Sequence, residues 1–134
     1  MEKALQLHEV LYVSTLSPDS PVTVVSQIAV KARIANESAG VTGLLVFDGM
    51  RFCQQIEGPR KPVLALIERI RHDPRHVNVE ILHHGPLAER RFRRFSLGYV
   101  TMDDVDVLAR IEEAGAKQAM TQFLALIPSV DLDS

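Results

Sequence analysis

The sequence predicts an α+β fold of the ferredoxin-like type, a βαββαββ chain with two helices on one face of a sheet and C-terminal helices on the other. Strand-like and helix-like segments follow one another in that order, and an Asp48-Gly49 hairpin signal separates two apolar runs. A chain of 134 residues, 46% hydrophobic and 24% charged, suits one domain. Right-handed crossovers place both early helices on one face, so the other face needs the C-terminal helices as a cover.

Side-chain type and turn chemistry predict the first strand and the first helix. Residues 9–14 are β-branched and aromatic, which is typical of a strand. Ser20 before Pro21 has the chemistry of an N-cap and a first helical residue. A helix is therefore expected over 21–36, with helix-breaking residues up to Gly40 behind it. Its predicted apolar stripe consists of Val24, Val25, Ile28, Ala32 and Ile34.

A hairpin is predicted in the middle of the chain. Residues 41–47 are almost continuously apolar, which indicates a strand buried on both faces. The Asp48-Gly49 pair favours a tight turn, and residues 51–57 then form the antiparallel partner. In the ferredoxin-like topology the first and third strands are the central pair of the sheet.

The second half of the chain begins with an amphipathic helix. Apolar residues at helical spacing between Val63 and Ile70 predict a helix over 60–72, and Asp73-Pro74 ends it. The later predicted elements are strands over 78–83 and 95–100 and helices over 103–113 and 115–126.

Composition narrows the class of protein. The net charge of −2 argues against a general nucleic-acid binder, and the single cysteine, Cys53, excludes an internal disulfide. No apolar run approaches the ~20 residues of a membrane span, and the first residues lack the apolar core of a signal peptide, so we expect a cytoplasmic protein. Residues 101–134 carry two basic and seven acidic groups, which fits either a solvated acidic helix pair or a partner-facing cap.

Two polar side chains are expected side by side on the central strands. Alternation makes Tyr12 and Gln54 polar side chains on one face of each of two adjacent central strands. If both face the two early helices, each needs a hydrogen-bond partner, since an unpaired buried polar group costs about 1–3 kcal/mol. A structural Tyr–Gln hydrogen bond is the simplest interpretation, and a functional pair is the alternative.

Other polar residues have ordinary interpretations beside functional ones. Asn36 fits a C-cap of the first helix, and Arg69 fits a surface arginine that lays its stem over the core. His72 and His76 have a metal-compatible spacing, but Pro74 breaks the helix between them, so no metal site is predicted.

The loop after the first strand argues against a hydrolase of the same fold. Acylphosphatases need an arginine in a phosphate-cradling loop at this place, and residues 14–20 contain neither arginine nor glycine. No phosphate-binding glycine motif and no Ser–His–Asp or Cys–His set is visible.

Four segments stand out in order along the chain: residues 10–14, Asn36 with 39–45, residues 52–58 and residues 67–76. Together they resemble the BLUF domain, a sensor of blue light that uses FAD. The resemblance covers about residues 8–100.

The resemblance implies a role for each of eight residues. Tyr12 is the implied electron and proton donor to the excited flavin, and Gln54 bridges that tyrosine and the N5/O4 edge of the ring. Asn36 binds the O4/N3 edge, and Arg69 with Asp73 binds the C2 carbonyl side. The remaining residues are Ile28 and Ile70, which sandwich the ring, and Phe52, which packs nearby. The implied cofactor is FAD, with FMN as the alternative.

Two residues depart from the family pattern. Phe95 and Leu97 stand where the family often has tryptophan and methionine, so their side chains form no hydrogen bonds and the fifth strand is expected to relay the signal differently. The neighbouring Arg90–Arg94 run is either a solvated connection or a docking patch for a partner.

The prediction as a whole is a stand-alone photoreceptor and not an enzyme. Residues 1–100 form the flavin-binding domain, and residues 101–134 form the capping helices of the same domain. Its expected partners are the flavin, a further copy of the chain and an effector protein in trans, but neither nucleic acid nor a membrane. The alternatives are a flavin-free regulatory module and an acylphosphatase-like hydrolase.

Overall fold

The computed structural model describes residues 6–99, 108, 111, 116–127 and 131–133. The elements are β1 (Leu7–Leu16), α1 (Val24–Ala39), β2 (Thr42–Phe47), β3 (Arg51–Pro59), α2 (Arg60–His72), β4 (His76–Leu87), β5 (Phe95–Tyr99), α3 (Ala116–Leu126) and β6 (Asp131–Asp133). Among the described residues, no helix is long and apolar enough to span a membrane.

The strands form one sheet in the order β4-β1-β3-β2-β5-β6. β1 is antiparallel to both β3 and β4, whereas β2 is antiparallel to β3 and parallel to β5. The ferredoxin-like α+β fold and its central β1–β3 pair are therefore confirmed. The short strand β6 was not predicted, and it extends the sheet by pairing with β5.

The core lies on both faces of the sheet. On one face, α1 covers Leu45, Phe47 and Phe52, and α2 covers Val10 and Ile56. The other face is covered by α3 as predicted: Ala119, Met120, Phe123 and Leu126 pack with Leu11, Val13, Leu44, Val46 and Cys53. The predicted helix over 103–113 lies outside the described residues except at Leu108 and Ile111, which are helical and buried against this face.

The predicted start of the first helix is wrong by three residues. The N–H of Ser20 donates to the carbonyl of Ser17 at 2.9 Å, and the carbonyl of Pro21 accepts from the N–H of Val24 at 3.0 Å. These bonds form separate turns, so α1 begins only at Val24, and its N-cap Thr23 makes no side-chain capping bond.

The predicted end of this helix is also too early. α1 continues to Ala39, and Gly40 ends it in the left-handed region at φ 74°. The carbonyl of Asn36 accepts the N–H of Val41 at 2.8 Å, so Asn36 lies in the last turn and is not the C-cap. Ile34 was placed in the apolar stripe, but it is 68% exposed because the helix turns this position away from the sheet.

Tertiary pairing lengthens the edge strand β4 beyond its apolar segment. β4 was predicted over 78–83 but pairs with β1 from His76 to Leu87.

Gly43 shows how closely β2 approaches β3: a Cβ at this position would lie 2.0 Å from the carbonyl oxygen of Gln55. This contact, together with φ 153°, requires glycine there.

Candidate functional site

A cleft of about 200 Å³ opens between α1 and α2 above the central strands. Its floor is formed by Tyr12 and Gln54, with Leu45 and Phe95 on the α1 side. The two walls consist of Ile28, Lys31, Ala32, Ala35 and Asn36 from α1 and Leu66, Arg69 and Ile70 from α2. Residues Asp73, Arg75 and His76, which follow α2, close one end.

Tyr12 and Gln54 meet on the floor of the cleft. They are register partners in the antiparallel β1–β3 pair, and the hydroxyl of Tyr12 donates a hydrogen bond to Oε1 of Gln54. The predicted Tyr–Gln hydrogen bond is confirmed. Burial raises the pKa of Tyr12, which keeps the phenol protonated as the donor. Because Tyr12 occupies Oε1, the amide nitrogen is the end of Gln54 left for another acceptor.

Asn36 presents a buried amide without a partner. It is 2% exposed and lines the cleft, and its Nδ2 makes no hydrogen bond with the residues that the structure describes. Leaving such a donor unpaired costs about 1–3 kcal/mol. An acceptor on a bound molecule would satisfy it, so this atom points to a ligand with a polar edge.

The segment after α2 holds a preorganised cation at one end of the cleft. The Arg75 guanidinium bonds both carboxylate oxygens of Asp73 at 2.6–3.1 Å, and the Arg75 N–H donates to the same carboxylate at 2.9 Å. The side-chain hydrogen bond from Arg75 outweighs burial and holds the pKa of Asp73 below its ordinary value. Arg69, by contrast, is exposed on α2.

His76 is a buried polar residue beside the Tyr12–Gln54 pair. Its Nδ1 lies 2.9 Å from Oγ of Ser14, and its ring packs 4.7 Å from the ring of Phe52 and 6.5 Å from that of Tyr12, measured between centroids. Burial lowers the pKa of His76, which favours the neutral imidazole. Within the described part of the chain no three His, Cys, Asp or Glu side chains are placed to hold a metal.

The structure brings seven of the eight proposed cofactor residues to one cleft. These residues are Tyr12, Ile28, Asn36, Gln54, Arg69, Ile70 and Asp73. The eighth, Phe52, does not line the cleft; it lies fully buried between Phe47 and His76.

Sequence reasoning missed Arg75 and His76 as site residues. Both belong to the segment 67–76 used for the family resemblance, but only Asp73 was carried over from its end. The sequence signal that could have indicated them is the polar run from Asp73 to His76, which directly follows the stop of the second helix. Such a run lies at the end of the helix and can therefore reach the same site as the side chains of that helix.

Phe95 and Leu97, the two departures from the family pattern, differ in their position relative to the cleft. Phe95 is 3% exposed and lines the cleft, whereas Leu97 is 1% exposed and packs in the α1-side core. Leu97 pairs with Leu45, which in turn pairs with Gln54, so one strand separates Leu97 from the glutamine.

These groups fit a flat ring with one polar edge. Ile28 and Ile70 supply apolar surface from opposite helices, and Asn36 and Gln54 each offer both a donor and an acceptor. The cleft is smaller than the ~300–1,000 Å³ of pockets that enclose a drug-sized ligand, so it suits the ring of a dinucleotide and leaves the rest of the ligand outside.

A family model and a curated protein match most of the described domain. The family model "BLUF: Sensors of blue-light using FAD" matches residues 7–98. The chain is 34% identical over 104 residues to the blue light- and temperature-regulated antirepressor BluF of Escherichia coli (strain K12), which covers 74% of this chain but only 26% of that protein.

Solved structures share the fold. The dark-state structure of BlrB, a BLUF protein, superposes with a TM-score of 0.74 at 29% identity and covers 92% of this chain and 96% of that one. The structure of Klebsiella pneumoniae BlrP1 with FMN and cyclic diGMP superposes with a TM-score of 0.66 at 30% identity, over 80% of this chain and 29% of that chain.

Proposed function

The chain belongs to the family of BLUF domains, the sensors of blue light using FAD, and from this premise we propose that its α1–α2 cleft holds the isoalloxazine ring and that Tyr12 and Gln54 form the light-driven switch. The observation that carries this proposal is the buried Tyr12–Gln54 hydrogen bond on the floor of a cleft whose wall contains the unpaired amide of Asn36. FAD is the proposed ligand, with FMN as the alternative because a relative was solved with it.

The flavin, when bound, supplies light absorption and one-electron chemistry. Tyr12 holds its proton in the dark because burial raises its pKa, and the proton lies on the hydrogen bond to Gln54 Oε1. Turning the Gln54 amide exchanges its oxygen and nitrogen ends, so the side facing Tyr12 changes from acceptor to donor and the side facing the ligand changes from donor to acceptor. Gln54 thus changes the hydrogen bonds of the site while the register of β1 and β3 stays the same.

The polar edge of the ring has three sets of proposed contacts. Asn36 would bind the O4/N3 side, where its free Nδ2 meets an acceptor. Asp73 and Arg75 act as one unit near the C2 carbonyl, since their bidentate contact fixes the guanidinium. Arg69 is a secondary contact there, because its exposed side chain is less constrained.

We propose that the chain acts as a sensor and not as an enzyme, and that it signals to a protein in trans or to a further copy of itself in the cytoplasm. Support comes from the E. coli relative, which is described as an antirepressor. A flavin-free module is not favoured, because it leaves the Asn36 amide unexplained. The hydrolase alternative is not favoured either, because neither Arg69 nor Arg75 lies in the loop after β1.

The test begins with flavin in the purified protein. We expect a yellow protein whose ligand, released by denaturation, co-elutes with FAD or FMN. Asn36→Ala should weaken flavin binding by roughly tenfold or more, since each lost buried hydrogen bond is worth about 1–3 kcal/mol. The melting temperature of the flavin-free form should change little, because the removed Nδ2 has no partner among the described residues.

Gln27→Ala is the matched control, because it removes an exposed amide from the same helix. It should leave flavin binding unchanged. A preparation that stays colourless after reconstitution with FAD and with FMN would refute the proposed function, and equal flavin affinity of the two variants would refute the placement of the ring edge at Asn36.

A further inference from the structure

A second cavity of about 540 Å³ lies on the other side of the C-terminal end of α1. We call it the arginine pocket, because Arg33, Arg90, Arg93 and Arg94 line it together with a single acidic residue, Glu37. Such an excess of guanidinium groups around one cavity creates a positive potential in a protein whose net charge is −2.

The connection between β4 and β5 that carries these arginines is held firmly by the sheet. The N–H groups of Arg91 and Phe92 donate to the buried carboxylate of Glu57 at 3.0 and 2.9 Å. The Arg90 guanidinium donates to Oγ1 of Thr42 at 2.9 Å and to the carbonyl of Gly40 at 2.8 Å. This anchoring argues against the interpretation of the run as a merely solvated connection.

The arginines of this connection are used in two ways. Arg91 is paired internally, with Nε 2.8 Å from a carboxylate oxygen of the buried Glu9. Arg93 and Arg94 are exposed, and their guanidinium groups make no hydrogen bond or ion pair with the part of the chain that the structure describes. Two cations on an anchored backbone are therefore left for an external anion.

Apolar surface adjoins this charge on α1. Val30, Arg33, Ile34 and Glu37 recur at helical spacing and so share one face of the helix. Val30 is 54% exposed and Ile34 is 68% exposed. Large exposed apolar side chains beside a charged pocket are typical of a protein-binding surface.

We propose that the arginine pocket and this face of α1 together dock an acidic segment of an effector protein, whose carboxylates pair with Arg93 and Arg94 and whose apolar side chain lies on Val30 and Ile34. This inference rests on the proposed function, because it assumes that the sensor signals to another protein. Phe95 lines both the arginine pocket and the α1–α2 cleft, so one side chain connects the docking surface with the photoactive site.

The pocket suits carboxylates of a peptide better than a compact phosphate. Arginine pairs with both carboxylates and phosphates, so the guanidinium groups alone do not choose between them. The exposed Val30 and Ile34 beside the pocket favour a protein segment, because an apolar neighbour adds nothing to phosphate binding.

The test is a dark titration of the full chain with a synthetic peptide in which glutamates and leucines recur at helical spacing, labelled with a fluorophore that is excited by red light so that the measurement supplies no blue light. The variant Arg93→Glu combined with Arg94→Glu should weaken binding by roughly tenfold or more at about 0.1 M salt. The matched control, Arg60→Glu combined with Lys61→Glu, makes the same charge change at exposed positions of α2 that do not line the pocket. It should change the affinity by less than about twofold.

The apolar part is tested with Ile34→Ser and with a peptide that has serine for leucine, and each should weaken binding. Equal losses in the two charge-reversal variants would overturn the proposal, and so would a serine peptide or tripolyphosphate that binds as tightly as the leucine peptide. An oligomer that dissociates only in the Arg93–Arg94 variant, with peptide binding unchanged, would mean that a second copy occupies the surface. Light-minus-dark spectra of the same samples report the photochemistry separately, so failure of the proposed function is recognised independently.

Discussion

At the scale of single residues, the floor of the cleft differs from an ordinary core by its buried polar side chains. Ser14, Gln54 and His76 are each less than 10% exposed, and hydrogen bonds join Tyr12 to Gln54 and Ser14 to His76. Buried polar groups are retained at a cost in free energy unless they are paired. In the cleft, the buried Nδ2 of Asn36 has no partner among the described residues, and we propose that a ligand completes the site there.

Tyr12→Phe and Gln54→Leu should each abolish the light response without loss of the flavin. Phenylalanine keeps the ring but removes the donor to Oε1, and leucine neither donates nor accepts. Wild-type protein should show a small reversible red shift of the flavin absorption under blue light, since rewiring the hydrogen bonds of Gln54 changes the hydrogen bonding at the N5/O4 edge while leaving the ring oxidised.

The measurement is a light-minus-dark spectrum of each flavin-loaded variant beside the wild type. Phe123→Leu, placed on the opposite face of the sheet, serves as the control and should keep the shift. A reversible shift of wild-type size in either site variant would leave Tyr12 and Gln54 as structural residues only.

His76 should make the folded protein less stable in mildly acidic solution. Burial holds its pKa below the ordinary 6.5, so the unfolded chain takes up a proton at a higher pH than the folded chain does. The stabilising contribution is fully present above pH 6.5 and is lost as the pH falls through the interval down to the folded-state pKa.

His76→Gln removes this titration and keeps a side chain able to hydrogen-bond Ser14. Urea unfolding from about pH 7.5 to 5 should show a smaller loss of stability in this variant than in the wild type. Gln27→Ala changes an exposed side chain that does not titrate and should follow the wild type. Parallel curves for the wild type and His76→Gln would show that His76 does not couple protonation to folding.

At the scale of elements, β3 connects two polar sites on opposite faces of the sheet. Gln54 faces the cleft, whereas the next residue, Gln55, donates from Nε2 to Glu9 at 3.2 Å and to Glu57 at 2.9 Å. Burial alone would raise the pKa of Glu9, but hydrogen bonds from Arg91 and Gln55 outweigh it and hold that pKa below its ordinary value. This network fixes the segment that leads into β5.

Phe95→Trp should preserve the light-induced shift but change its decay in the dark. Phe95 lines the cleft at the start of β5 and makes no polar contact through its side chain, so the Tyr12–Gln54 switch does not depend on it. Tryptophan adds an indole N–H and extra volume at a site that is only 3% exposed.

Time-resolved absorption after a blue flash measures both properties. A matched exchange at a buried site away from the cleft, Phe47→Trp, separates a general packing effect from one specific to β5. Loss of the initial shift in Phe95→Trp would place β5 within the primary photochemistry, contrary to this prediction.

At the scale of the whole molecule, both faces of the sheet need packed helices to bury their apolar side chains. The helices α1 and α2 form the ligand cleft on one face, and α3 buries the aliphatic side chains of the central strands on the other. Both faces also hold buried polar side chains, since Gln54 lies on the α1–α2 face and Gln55 bonds both Glu9 and Glu57 on the other. The cleft shares no residue with the α3 cluster, so we expect that cluster to serve stability and the α1–α2 face to carry the ligand.

Phe123→Ala should destabilise the fold by about 3–5 kcal/mol, the usual loss for a fully buried phenylalanine. Urea unfolding at a fixed excess of FAD measures this loss while ligand stabilisation stays constant. Leu64→Ala, at a position 38% exposed on α2, is the control and should cost clearly less. A loss below about 1 kcal/mol for Phe123→Ala would mean that α3 is not an essential cover.

The sequence by itself determined those features that depend on neighbours along the chain. The bounds of α2 were predicted at 60–72 because a helical stripe ends at the Asp73-Pro74 stop, and the β2–β3 hairpin was predicted from Asp48-Gly49 between two strand-like runs. Alternation along strands also placed Tyr12 and Gln54 on one face, and the fold's central pair then made them neighbours.

Only the tertiary structure decided the features that depend on pairing between distant segments. Asn36 turned inward because α1 continues to Ala39, and β4 grew to His76 because β1 offered a partner along its whole length. The pairing of β4 with β1 brings His76 to Ser14. The turn before β4 brings Arg75 to Asp73 at the end of the cleft. Phe52 packs against the ring of His76 and does not line the cleft. The conformational propensity of a single segment does not predict such contacts. Their free energy depends on the sheet register and on where the helices pack, and both are fixed only when the distant segments pair.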